Sequence, residues 1–181
     1  MTKGRFIAVV GPSGVGKDSV MAGMIAARPG LVRIRRVITR AADAGGEDYE
    51  AVSDALFAAR AAGGDFALHW QAHGLSYGIP RTAQAALAHG QDALVNLSRG
   101  MVGRAAVVFE HVTVLHITAT PAVLAERLAL RGREGRAEIA RRLARPAPGF
   151  PPDLPLVEID NSGDLSLAVA AALAALYPES A

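Results

Sequence analysis

Short apolar runs alternate along the chain with longer segments whose apolar residues recur every three or four positions, and turn-forming residues separate the two. Runs of the first kind read as strands and segments of the second kind as amphipathic helices. "RFIAVV" (5–10), closed by Gly11-Pro12, predicts a buried strand. "DSVMAGMIAAR" (18–28) follows as a helix that stops before Pro29-Gly30. "LVRIRRVIT" (31–39) mixes apolar and basic residues and is predicted as one half-exposed strand, with "AADAGGED" (41–48) as a polar loop. Ser53 as N-cap and Gly63-Gly64 as stop mark a helix over "VSDALFAARAAGG".

"DFALHWQAHGLSYGIP" (65–80) predicts an antiparallel strand pair turning near Gly74, followed by a helix in "RTAQAALAHG" and a strand in "DALVNLS". "GRAAVVF" (103–109) is predicted as the end of a helix and "VTVLHITA" (112–119) as a strand. Pro121 suits the first helical position of "PAVLAERLALRG". A helix over "AEIARRLAR", a proline-rich loop "PAPGFPPDLP", a strand "LVEID" and a closing helix "DLSLAVAAALAALY" complete the chain. The alternation predicts an α/β fold, a parallel sheet with helices on both faces. The 181 residues suit one domain, 1–181, since too little follows the proline-rich loop for a second.

Charge changes this picture little. Lys+Arg 19 against Asp+Glu 17 is too even to favour a nucleic-acid partner, and lysine occurs only at positions 3 and 17, so the basic balance is carried by arginine. No cysteine is present, which excludes disulfides and thiolate chemistry. The run Leu165–Tyr177 falls short of the roughly 20 apolar residues a membrane span needs, and no export signal is visible, so a cytoplasmic location is expected.

The chemistry begins at "GPSGVGKDS" (11–19). Gly11, Pro12, Ser13, Gly14, Val15, Gly16 and Lys17 fit G-x-x-x-x-G-K between a predicted strand and a predicted helix, as a phosphate loop requires. Glycines let backbone N–H groups converge on phosphate oxygens, the helix N-terminus adds its positive end, and Lys17 meets the β/γ-phosphates of ATP. Asp18 stands where such loops carry a Ser or Thr that ligates Mg²⁺. A carboxylate is also a hard ligand for that ion, and it would repel the phosphates unless the metal lies between them.

With these motifs in place the chain resembles guanylate kinase and its relatives over nearly its whole length. The matching pieces run in order: "GPSGVGKDS", "ITR" (38–40), "GEDY" (46–49), "VSDALF", "GLSYGIP", "RLALRGR", "EIARRLA" and "DNSGDL". Several of them, "GKDS", "ITR", "HGLSYG", "LVNLSR" and "RGRE", also resemble a narrower group, the ribose 1,5-bisphosphate phosphokinases of phosphonate metabolism. The first resemblance implies a phosphate-loop kinase fold with an acceptor-binding region at about 35–82 and an arginine-rich lid at about 127–146. The acidic and hydroxyl residues with which guanylate kinases read guanine are replaced by Gln71, Ile79, Val95 and Leu97. Arg40, Tyr49 and Tyr77 match positions that hold the acceptor's phosphate. A pocket that keeps its phosphate ligands and loses its base ligands suits a phosphosugar, and Gln71, Asn96, Ser98 and Arg99 become the candidate sugar contacts.

The narrower resemblance implies the transfer of a phosphoryl group from ATP, with Mg²⁺, to ribose 1,5-bisphosphate, giving 5-phosphoribosyl 1-diphosphate. The alternatives are a guanylate or other nucleoside monophosphate kinase, and a non-catalytic interaction module of the same fold. By family pattern Arg131, Arg133 and Arg142 belong to the lid and reach the transferring group, whereas Arg127, Arg136, Arg141 and Arg145 also suit a solvated basic helix. Asn161 matches a position bordering adenine. Asp18 would return one carboxylate to the Mg²⁺ site after the loss of the acidic strand residues. His69, His73, His89, His111 and His116 lack metal spacing and read as packing or surface residues.

Overall fold

The computed structural model describes residues 2–42, 47–130 and 149–178. Nine strands and six α-helices alternate through them: β1 (Phe6–Val10), α1 (Lys17–Ala27), β2 (Val32–Ile34), β3 (Val37–Ile38), β4 (Glu50–Ala51), α2 (Asp54–Ala62), β5 (Phe66–Ala72), β6 (Leu75–Pro80), α3 (Thr82–Ala88), β7 (Ala93–Asn96), α4 (Val102–Val108), β8 (Val112–Thr118), α5 (Pro121–Leu130), β9 (Leu156–Asp160) and α6 (Leu165–Leu176). Five strands form a parallel sheet in the order β2-β7-β1-β8-β9. Its central strand β1 is buried along its whole length, as a strand covered on both faces must be.

Side-chain alternation assigns the core. Phe6, Ala8, Val10, Val95 and Val114 face α3, α4 and the inner side of a smaller sheet. Ile7, Val9, Leu94, Leu115 and Ile117 face the other way, against Met21 and Met24 of α1, Leu124 of α5 and Val169 of α6. The expected α/β architecture with helices on both faces is therefore present.

The smaller sheet has the order β4-β3-β6-β5. Its hairpin β5–β6 pairs Trp70 with Tyr77 and turns at His73-Gly74, both at positive φ (52° and 74°), the geometry of a tight hairpin turn. Its outer face packs Val37 and Phe66 on Phe57 of α2. Ser53 caps α2 as its sequence position implies, its side chain accepting from the Leu56 amide.

One expectation needs correction. The segment 31–39 is two strands rather than one: β2 joins the edge of the large sheet and β3 enters the small one. β2 is half-buried at all three positions, whereas Val37 and Ile38 of β3, adjacent and therefore on opposite faces, are both buried, so the two pieces meet different surroundings on either side of Arg35-Arg36.

Candidate active site

β1 runs into the glycine loop, and α1 starts at its end, so the first-turn amides of α1 have no carbonyl four residues earlier to bind. Gly14 and Gly16 take φ of 85° and 92°, which side-chain-bearing residues rarely adopt. A Cβ on Gly16 would also lie 2.6 Å from Asn161 Nδ2. That close approach lets Asn161 donate to the Val15 carbonyl at 2.8 Å, while Arg127 Nη1 donates to the same oxygen at 3.3 Å and Arg127 Nη2 to the Asn161 carbonyl at 2.9 Å. Asn161, expected near adenine, thus supports the loop from behind. Arg127, read as surface charge or lid, joins it there. Val15 is buried in the core beneath the loop.

Lys17 donates from Nζ to the carbonyls of Gly11 (2.9 Å) and Pro12 (3.1 Å), which curls its ammonium over the loop. Gly11, Ser13, Gly14, Gly16, Lys17 and Asp18 line one wall of a cavity of about 510 Å³, and Arg40, Tyr77, Asn96 and Ser98 line it with them. Residues assigned to ATP and residues assigned to the acceptor therefore share one space. Arg40 lies over the Tyr49 ring at 4.3 Å, and the Tyr49 hydroxyl donates to the Ala41 carbonyl, so Tyr49 serves as a platform beneath Arg40.

Two of the candidate sugar contacts point elsewhere. Gln71 is exposed on β5 and donates to Ser76 Oγ at 3.4 Å. Arg99 places Nη2 2.7 Å from His116 Nε2 and stacks on Phe150 at 4.4 Å. His116, in turn, pairs through Nδ1 with Glu158 at 2.9 Å. Burial, with Arg99 beside it, holds the His116 imidazole below its ordinary pKa against the hydrogen bond to Glu158. Arg131, Arg133 and Arg142, with Arg136, Arg141 and Arg145, lie outside the described residues.

The cavity also holds groups that sequence reasoning passed over. Arg36, Glu47 and Trp70 line it. Glu47 bonds to Arg36 through Oε1, has Arg40 Nη2 at 3.6 Å from the same oxygen, and accepts from Asn96 Nδ2 through Oε2 at 2.9 Å. Asp18 pairs with Arg33 of β2 through Oδ1. Burial, with the charge of Glu47 nearby, pushes the Asp18 carboxyl above the usual carboxylate range against the pull of Arg33 and Lys17. Glu47 lies inside the "GEDY" motif and Arg36 inside the alternating segment 31–39, and neither pattern carries a local sign of their pairing.

The donor set suits a divalent ion held jointly with nucleotide phosphates. Asp18 offers a hard oxygen atom beside the loop, and the described residues contain no group of three or more metal-ligating side chains. An ion that takes one or two carboxylates and fills its remaining positions with phosphate and water needs no such cage.

A glycine loop and helix N-terminus opposite an arginine-lined wall, on a parallel sheet with β1 at its centre, define a phosphate-loop kinase. No family model matches the chain. It is 54% identical over 180 residues, 99% of this chain and 95% of the other, to the ribose 1,5-bisphosphate phosphokinase PhnN of Ruegeria sp. (strain TM1040). It is 44% identical over 178 residues to the protein of the same name from Brucella melitensis biotype 2, with 97% and 93% of the two chains covered. Among solved structures, the guanylate kinase of Anaplasma phagocytophilum matches 93% of this chain and 82% of its own with a TM-score of 0.66 at 21% identity, a likeness of fold. The chain belongs to the ribose 1,5-bisphosphate phosphokinase family.

Proposed function

We propose that the protein transfers the γ-phosphoryl group of ATP to the 1-phosphate of ribose 1,5-bisphosphate, forming 5-phosphoribosyl 1-diphosphate and ADP. The observation that carries this reading is the single cavity in which the phosphate loop faces Arg40 and Tyr77. A phosphate oxygen of the acceptor attacks the γ-phosphorus, the bond to the β,γ-bridging oxygen breaks, and ADP leaves with the electron pair. The attacking oxygen is already anionic near neutral pH, so no side chain needs to remove a proton. Catalysis rests on alignment and on charges placed in advance.

Each residue then has a bounded task. Loop amides and Lys17 hold the β- and γ-phosphates, and Arg40, steadied by the Tyr49 ring, turns the acceptor's phosphate toward them with Tyr77. Asn96 and Ser98 border the sugar. Among the described residues, Glu47 is the one carboxylate at the acceptor end. Both of its oxygens are engaged, by Arg36 and Asn96, which leaves it poorly placed to read the N–H edge of guanine. Asp18 keeps Oδ2 for the metal while Arg33 takes Oδ1. Asp18 would hold Mg²⁺ beside the loop, where the ion would offset the negative charge of the nucleotide phosphates.

Arg131, Arg133 and Arg142 are assigned to a lid that supplies further positive charge and excludes water, within one kinase domain working in the cytoplasm on phosphonate-derived sugar phosphates. No described helix is long and apolar enough to cross a membrane. Incubation with Mg-ATP and ribose 1,5-bisphosphate tests the reading by ³¹P NMR. The expected product shows a new diphosphate on C1 with the 5-phosphate unchanged. Recovery of the unaltered bisphosphate while GMP is converted to GDP would replace it with the nucleoside monophosphate kinase reading.

A further inference from the structure

Beside the half-buried Arg40, the small sheet carries a buried arginine that the transfer reaction as described does not use. Arg36, Ile38 and Arg40 alternate along β3 and its flanks, so they share the face that β6 extends with Tyr77. The Arg36 side chain is 10% exposed, and its guanidinium lies 5.2 Å from the Tyr77 ring centre and 6.0 Å from that of Trp70. Trp70 and Tyr77 are themselves stacked at 5.3 Å. A guanidinium cannot shed its proton on burial, so it needs anionic company.

The company present is incomplete. Arg36 and Arg40 both converge on Oε1 of Glu47, two cations on one carboxylate. Three buried donors in this pair, Arg36 Nε, Arg40 Nε and Arg40 Nη2, have no hydrogen-bond partner among the described residues. Surplus positive charge and unmet N–H groups on the wall of a cavity suit an anion with several oxygens. One arginine cradle serves the phosphate that is to be extended. An acceptor with a single phosphate would leave the second cradle idle.

We infer that Arg36, held by Glu47 over the Trp70–Tyr77 stack, forms a second anion subsite that binds the acceptor's distal phosphate, the one that does not react. The inference rests on the reading of the acceptor as a sugar bisphosphate. It makes Arg36 the residue that separates a bisphosphate from a monophosphate acceptor, with Arg40 and Tyr77 serving the reacting end.

The test compares kcat/KM for ribose 1,5-bisphosphate and ribose 1-phosphate in wild type and in Arg36→Met, which keeps the length and the packing over the rings. The preference for the bisphosphate should fall by about 30-fold or more, through KM, because a buried charge partner of that phosphate is removed. Equal losses on both acceptors, or an unchanged ratio, overturn the inference while the acceptor reading stands. A wild-type protein that phosphorylates neither sugar removes both, and that result is seen without any variant. Should Arg36→Met fail to fold, Arg36→Gln, which keeps a hydrogen bond to Glu47, is measured in the same way. A fall of about 30-fold or more in its preference for the bisphosphate supports the subsite, and an unchanged preference overturns it.

Discussion

At the scale of single residues, Asp18 shows how a motif position and its surroundings combine. Its place after Lys17 suggests a metal ligand, and its carboxylate does line the cavity, yet Arg33 reaches it from β2. Asp18→Ala should raise the Mg²⁺ concentration for half-maximal rate by about 10-fold, and Asp18→Ser should restore part of the loss, since a hydroxyl ligates the ion in ordinary phosphate loops. A magnesium titration of folded Asp18→Ala that superimposes on wild type would assign the carboxylate to Arg33 alone. The phosphate loop, Arg40 and Tyr77 were legible because each sits in a contiguous motif. Arg36 and the Glu47 pairings were not. Asn96 meets Glu47 across 49 residues of chain and Arg36 meets it across 11, and nothing local in the sequence encodes such partners.

At the scale of elements, the periodicity located strands and helices well where one pattern persisted. The hairpin of β5 and β6 was visible from its two apolar runs and from Gly74 between them. The division of 31–39 was harder, because Val32, Ile34 and Ile38 keep one phase and basic residues lie on both sides of the break, so the apolar pattern does not mark it. The small sheet that results carries Arg36, Trp70 and Tyr77 on the wall of the cavity, and at Gly78 it leaves no room for a side chain. A Cβ there would lie 2.7 Å from the Phe66 ring, which is stacked on Phe57 at 4.7 Å. Gly78→Ala should therefore cost about 1–3 kcal/mol of stability from overpacking, measured by denaturant unfolding. Because Tyr77 is its neighbour, KM for the acceptor should rise more than KM for ATP. A loss of stability with both constants unchanged would show that the sheet's packing and the acceptor wall are independent.

At the scale of the whole molecule, a polar cluster joins distant parts of the chain where β1 and β7 begin, at the opposite end of these strands from the phosphate loop. Asp92 accepts from the Arg5 amide at 2.6 Å, from Arg5 Nη2 at 2.7 Å and from the Tyr177 hydroxyl at 2.6 Å. The Tyr177 ring lies between Arg28 at 3.8 Å and Arg5 at 4.7 Å. Burial alone would raise the Asp92 carboxyl, but these hydrogen bonds outweigh it and hold it below the ordinary carboxylate range. Burial and the bond to Asp92 push the Tyr177 phenol up to about 12. A carboxyl with a depressed folded-state pKa stabilises the fold above its unfolded value of about 3.9, and the contribution is lost as pH falls through the folded value. Asp92→Asn should thus cost about 1–3 kcal/mol at pH 7, and the gap to wild type should narrow below about pH 4. A gap constant between pH 7 and pH 3 would mean that the charge of Asp92 contributes nothing.

The same scale holds the central claim, that one cavity brings ATP and a sugar bisphosphate together and has given up the recognition of guanine. The most direct measurement is the ratio of kcat/KM for ribose 1,5-bisphosphate to that for GMP, taken with saturating Mg-ATP. GMP would leave the charged partners of the second phosphate unpaired and find no acceptors for its N–H groups, so the ratio should favour the sugar by about 10⁴-fold. Comparable values for the two acceptors, or a preference for GMP, would contradict the account.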